Sequence, residues 1–114
     1  MKVAIVGSRG LSVPDIGRYL PEGFTEIVSG GAKGIDTCAR YYAVEHGIPL
    51  REFLPDYQRY GATAPLRRND DIIAYADAVV ALWDGASHGT YYVIARCRQI
   101  GKQLYVYQIP PRQK

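Results

Sequence analysis

Three short polar segments hold most of the residues that could do chemistry. They are Gly7-Ser8-Arg9-Gly10, Ser29-Gly30-Gly31-Ala32-Lys33-Gly34-Ile35-Asp36 and Asp84-Gly85-Ala86-Ser87-His88-Gly89-Thr90. Seven of the twelve glycines fall here: Gly7, Gly10, Gly30, Gly31, Gly34, Gly85 and Gly89. Glycine lets backbone amides approach a ligand closely. A loop that leads into a helix also aims unpaired N–H groups and a partial positive charge at whatever binds there. Ser8, Ser29, Ser87 and Thr90 add hydroxyl donors, and Arg9 and Lys33 add positive charge. Together this is the chemistry of a phosphate or phosphoribosyl cradle. The carboxylates among these segments are Asp36 and Asp84, the two candidates for acid–base work.

Other readings of these loops fail on spacing. Gly30-Gly31-x-x-Gly34 is not closed by Gly-Lys-Ser/Thr, so it is not a nucleoside-triphosphate P-loop. It follows the second strand and not the first, so it is a poor dinucleotide fingerprint. His88 reads as an exposed loop residue, and His46, just before Gly47, as a partner for carbonyls at a helix end. Cys38 and Cys97 are single, far apart and placed on apolar helix faces, which predicts burial and neither a metal site nor a disulfide. No cofactor is implied.

The loops need elements to hold them. Strands are expected at Lys2–Val6, Phe24–Ser29, Leu50–Leu54, Ala76–Trp83 and Leu104–Ile109, from β-branched and apolar runs bounded by glycine or proline. Helices are expected at Val13–Leu20, entered by Pro14-Asp15, and at Lys33–His46, Leu66–Tyr75 and Gly89–Ile100. Lys33–His46 carries an apolar stripe at Ile35, Cys38, Ala39, Tyr42 and Ala43, and Gly89–Ile100 one at Val93, Ile94, Cys97 and Ile100. Asp56–Pro65 reads as a polar loop. Strands alternating with helices predict an α/β domain: a five-stranded parallel sheet, doubly wound, with helices on both faces. In such sheets ligands bind at the carboxyl ends of the strands, the rim that carries all three loops.

Length and composition set the outer bounds. The 114 residues suit one domain, 1–109, followed by a flexible tail, 110–114. No apolar run approaches the roughly 18–20 residues that span a bilayer. Met1–Gly7 runs into a strand without a basic leader, so with two unpaired cysteines the expected setting is the cytoplasm. The net charge is +3, but it is not spread evenly. Ala95–Lys114 holds five basic residues and no acidic one, while Met1–Ile94 holds nine basic against eleven acidic. The rim therefore lies in the acidic part, which argues against nucleic acid as a partner.

At the three loops the chain resembles the SLOG superfamily, the Rossmann-like group that includes the DNA-processing protein A family and the Lonely Guy phosphoribohydrolases. Within it the chain is most similar to the small stand-alone YspA-like branch. The resemblance rests on Gly7-Ser8-Arg9, on Ser29-Gly30-Gly31-Ala32-Lys33-Gly34-Ile35-Asp36, on Arg68-Asn69, and on Asp84-Gly85 with Gly89-Thr90. It implies a single Rossmann-like domain with a site for a nucleotide-derived ligand. Gly7, Ser8 and Arg9 would line its floor, and Gly30, Gly31 and Gly34 would pass close to phosphate or ribose. Asp36 would orient its loop or meet a hydroxyl, Arg68 and Asn69 would reach the same pocket, and Gly89 and Thr90 would hold a phosphate at a helix N-terminus. The chain departs from the hydrolases in one respect. Their Pro-Gly-Gly-x-Gly-Thr loop is followed by glutamates, whereas here Thr90 is followed by Tyr91-Tyr92 and no glutamate occurs after Glu52.

The expected function is binding or sensing of a nucleotide-derived small molecule, a nucleoside phosphate or an ADP-ribose-like compound. The alternative is a nucleoside 5′-monophosphate N-glycosidase using Asp36 or Asp84. Single-stranded DNA binding ranks third. Ten tyrosines also point to a homodimer, because neighbours such as Tyr41-Tyr42 and Tyr91-Tyr92 cannot both face the core of a helix. The helix from Gly89 is expected to contribute the contacts. Tyr57 and Tyr60, in the polar loop, are candidates for stacking on a base.

Overall fold

The computed structural model describes residues 1–110; the rest of the tail expected over 110–114, including Arg112 and Lys114, lies outside the described residues. Five parallel strands form one sheet: β1 (Lys2–Gly7), β2 (Glu26–Ser29), β3 (Leu50–Glu52), β4 (Ala78–Trp83) and β5 (Gln103–Gln108). The order across the sheet is β3-β2-β1-β4-β5. The helices are α1 (Ile35–Glu45), α2 (Tyr57–Tyr60), α3 (Ala64–Tyr75) and α4 (His88–Ile100).

Alternation along the strands fixes the two layers. Val3 and Ile5 face one side with Ile27, Val80 and Leu82, where Ile35, Ala39 and Ala43 of α1 cover them. Ala4 and Val6 face the other side with Val28, Val79 and Ala81, under Ile72 and Ile73 of α3 and Val93, Ile94 and Cys97 of α4. Strands buried on both faces need apolar residues at successive positions, and Val3–Val6 of β1 and all of β4 have them. This is a Rossmann-like α/β fold. The order in which strands are added reverses at β1, β2 and β3 lying to one side of it and β4 and β5 to the other, so the carboxyl ends of β1 and β4 bound the crevice where such sheets take ligands.

Three sequence expectations need correction. Val13–Leu20 is not an α-helix: only a 3₁₀ turn forms, at Ile16–Tyr19, with Asp15 accepting the Gly17 N–H. Gly17 is a weak helix former, and it is needed there because a Cβ would sit 2.8 Å from the Tyr42 ring. Asp56–Pro65 is not a loop throughout. Asp56 caps α2, a 3₁₀ turn covers Gly61–Thr63, and α3 starts at Ala64 with Pro65 in its first turn, where a missing N–H costs nothing. Ile100 ends the α4 stripe exposed instead of buried. Remaining boundaries shift by one or two residues, most visibly at β3, whose Arg51 and Glu52 suit a sheet edge.

Candidate functional site

The loops after β1, β2 and β4 meet at the carboxyl ends of the strands, and close contacts between them set their shape. The Ser8 hydroxyl is buried and accepts the Asp84 N–H at 3.1 Å, which ties the first loop to the third. Gly34, at φ +75°, lies so close to the first loop that a Cβ would be 2.6 Å from the Ser8 carbonyl oxygen. Gly7 meets Ile35 of α1 in the same way, a Cβ there falling 2.7 Å from Ile35 Cγ2. The third loop folds over its own acid: Asp84 Oδ1 accepts the N–H groups of Ala86 and Ser87, both at 2.8 Å. Those two bonds hold the Asp84 carboxyl below the ordinary aspartate range.

The second loop is built around two buried ionisable side chains. Arg68, on α3, donates from Nη1 to the carbonyls of Gly30 (2.6 Å) and Phe53 (3.3 Å), and from Nε to Asn69 Oδ1 (2.9 Å). Asp36, in the first turn of α1, accepts the Ala32 N–H at 3.1 Å. The two do not pair: Arg40–Glu52 is the single ion pair among the described residues. They approach Gly30 from two sides, and a Cβ on it would lie 2.6 Å from Arg68 Nη1 and 3.0 Å from Asp36 Oδ2. Burial raises the Asp36 carboxyl above its ordinary range, against the Ala32 amide, the Arg68 charge and the Ser29 hydroxyl. Burial also lowers Arg68; Asp36 opposes this and the like charge of Arg9 adds to it.

These residues surround a cavity of about 360 Å³. Of the residues singled out in the three loops and at Arg68-Asn69, Gly7, Arg9, Gly10, Gly30, Asp36, Arg68, Asn69, Asp84, Ser87, Gly89 and Thr90 line it. Ser8, Ser29, Gly34 and Gly85 do not. Ser29 is fully buried and accepts the Gly31 N–H, and Gly85 turns against Gln108. Gly31 and Lys33 face an adjoining cavity of about 490 Å³. Pro65 and Leu66 also line the first cavity and were missed in the sequence; the helix-start preference of Pro65 was the available signal.

The cavity is equipped for an anion. α4 has no side-chain cap, and its first intrahelical bond runs from Tyr91 N–H to the Ser87 carbonyl. The N–H groups of His88, Gly89 and Thr90 therefore precede the hydrogen-bond ladder and are free for a ligand. Arg68 is 8% exposed, and its Nη2 has no partner among the described residues. Arg9 is exposed at the mouth. No group of three or more His, Cys, Asp or Glu side chains that could hold a metal occurs among the described residues.

The other singled-out side chains fall as follows. His88 is exposed, while His46 sits at the α1 terminus with Nδ1 3.0 Å from the Tyr42 carbonyl oxygen. Cys97 is buried, Cys38 half-buried, and both are free thiols. Tyr41 and Tyr91 are exposed, and Tyr42 and Tyr92 half-buried, one of each pair outward as the helical spacing requires. Comparison with protein-family models, with curated proteins and with solved structures finds no match to this chain, so the reading of the site rests on its own geometry.

Proposed function

We propose that this domain binds a nucleotide-derived small molecule, a nucleoside phosphate or an ADP-ribose-like compound, by its phosphate at the rim between β1 and β4. The supporting observation is the meeting of three anion-seeking groups at one cavity: the first-turn N–H groups of α4, the unpartnered Nη2 of Arg68, and Arg9. The charge of Arg9 disfavours that of Arg68, so an anion beside Arg68 relieves a repulsion as well as making bonds. Membership of the SLOG superfamily, on the loops quoted above, is part of this proposal. So are a cytoplasmic setting and a homodimer through α4, which exposes Tyr91. No helix among the described residues is long and apolar enough to cross a membrane.

Titration calorimetry against a panel of nucleoside phosphates and ADP-ribose tests the reading, with Trp83 fluorescence as a second readout. Trp83 is the single tryptophan, and its Nε1 donates to the Ser87 carbonyl at the cavity edge. Binding tighter than millimolar that weakens with Arg9→Ala is expected. A panel without any binder sinks the proposal.

A second reading, cleavage of the N-glycosidic bond of a nucleoside 5′-monophosphate, draws support from Asp36. A carboxyl raised by burial inside the cavity is suited to hold a proton for a leaving base. Incubation with nucleoside monophosphates followed by chromatography decides this. Release of free base that disappears in Asp36→Asn favours the enzyme, and an unchanged nucleotide leaves a binder.

A further inference from the structure

The adjoining cavity has no part in the phosphate chemistry above. Arg9, Gly30, Ala32 and Arg68 line both cavities, so the two adjoin along these residues. At the junction Gly30 has the Arg68 and Asp36 side chains against it, and beyond it Gly31 has Leu54 against it. Beyond the junction the wall adds Leu54, Pro55 and Tyr57, beside Thr37 and the cationic Lys33 and Arg40. Leu54 and Tyr57 are 68% and 57% exposed, so this apolar surface is not spent on the core. Their placement is fixed locally. Asp56 caps α2 by accepting the Arg59 N–H at 3.1 Å, which sets Tyr57 as the first helical residue. Leu54 packs so closely on Gly31 that a Cβ there would be 2.8 Å from Leu54 Cδ2. Tyr60 differs: Arg59 and Arg67 stand 5.2 and 5.1 Å from its ring centre, and it lines neither cavity.

We propose that this second cavity is the base subsite of the same ligand. It stacks an aromatic base on Tyr57 beside Leu54, while the sugar passes Arg9 and Arg68 at the junction and the phosphate reaches the α4 N-terminus. The proposal rests on the phosphate reading above and assigns the place of the base that sets a nucleoside 5′-phosphate apart from a sugar phosphate. The physical reason is the order of surfaces along the two cavities: anion donors at one end, two arginines at the junction, an exposed ring and an alkyl side chain at the other. Every base has a π face, so stacking gives affinity without demanding one base.

The test uses the full chain, with ribose 5-phosphate and the 5′-monophosphates of adenosine, guanosine, cytidine and uridine as probes, followed by calorimetry. At least one nucleotide is expected to bind roughly 10-fold tighter than ribose 5-phosphate, the usual contribution of one stacked base. Tyr57→Ala should remove that advantage and leave ribose 5-phosphate unchanged, while Tyr57→Phe should keep it. Tyr57 is exposed, so neither variant threatens the fold. If ribose 5-phosphate binds and no nucleotide gains on it, or if Tyr57→Phe loses as much as Tyr57→Ala, the base subsite is overturned and the phosphate site stands. If neither ribose 5-phosphate nor any nucleotide binds, both fall.

Discussion

Asp36 and Arg68 are the two residues whose surroundings decide their behaviour. The raised Asp36 carboxyl binds its proton more tightly folded than unfolded. Its contribution to stability is therefore full below the ordinary aspartate value and is lost as pH rises through the folded value. Asp36→Asn removes that dependence while its side-chain oxygen still accepts the Ala32 N–H. The variant should match or exceed the parent in urea at pH 7, and the difference should close as the pH falls below the ordinary aspartate value. A parent that falls further behind the variant in acid would contradict the assignment. Asp84 has the opposite sign: its lowered carboxyl contributes stability above the ordinary value that is lost as pH falls through the folded one. Arg68→Met should destabilise by roughly 1–3 kcal/mol for each carbonyl left bare, because Gly30 and Phe53 lose their donor. Arg9→Ala should stay within about 0.5 kcal/mol in the same denaturation, since Arg9 is exposed. Both should weaken phosphate binding, so comparing them separates ligand contact from support of the loop.

Among the elements, the glycine-rich turns divide into those that hold the fold and those that open the site. Gly34 is of the first kind: its positive φ and the nearby Ser8 carbonyl leave no room for a side chain, and Gly34→Ala should cost about 1–3 kcal/mol in thermal or urea unfolding. Gly31 shares the strain, at φ +69° with Leu54 against it. Gly89 is of the second kind. Nothing lies within 4 Å of a Cβ built on it, and its φ is not positive. Gly89→Ala should raise stability by roughly 0.5–1 kcal/mol through helix propensity. Gly89→Leu should fold and lose ligand, because the side chain projects where the first-turn N–H groups of α4 meet the cavity. All these glycines look alike in the sequence. Helices with a long apolar stripe were legible there, as α1 shows, because periodicity over several turns reports burial directly. The segment before β2 was misread because Gly17 is needed for contact with Tyr42, 25 residues away, and no local pattern records that.

At the scale of the molecule, the radius of gyration of 13.1 Å is close to the ~13 Å of a compact single domain of this size. That leaves the cavity at an open rim, with no second domain among the described residues to close over it. The proposed homodimer is tested by sedimentation over a range of concentrations. Dimer that turns to monomer in Tyr91→Glu supports contact through α4, and a monomer at every concentration removes it. The charge split also bears on partners. Lys102, from the basic C-terminal segment, donates to the Ala76 carbonyl at 2.6 Å, so that charge is spent on the fold.

The sequence by itself determined the α/β class, the five strands and the rim that carries the polar loops, because alternation, helical periodicity and glycine placement are local properties of the chain. It also named most of the residues that line the cavity. Only the tertiary structure decided which of them face it. Ser8, Ser29 and Gly34 match a ligand-binding pattern, yet Ser8 and Gly34 are taken up by contacts between loops and Ser29 by one within its own, while Arg68 bonds the Gly30 carbonyl 38 positions away. Leu54, unremarked in the sequence, became part of a groove because β3 ends beside β2 and delivers it against Gly31. Such meetings depend on strand order, and strand order is set by the burial of the whole sheet, not by any segment of it.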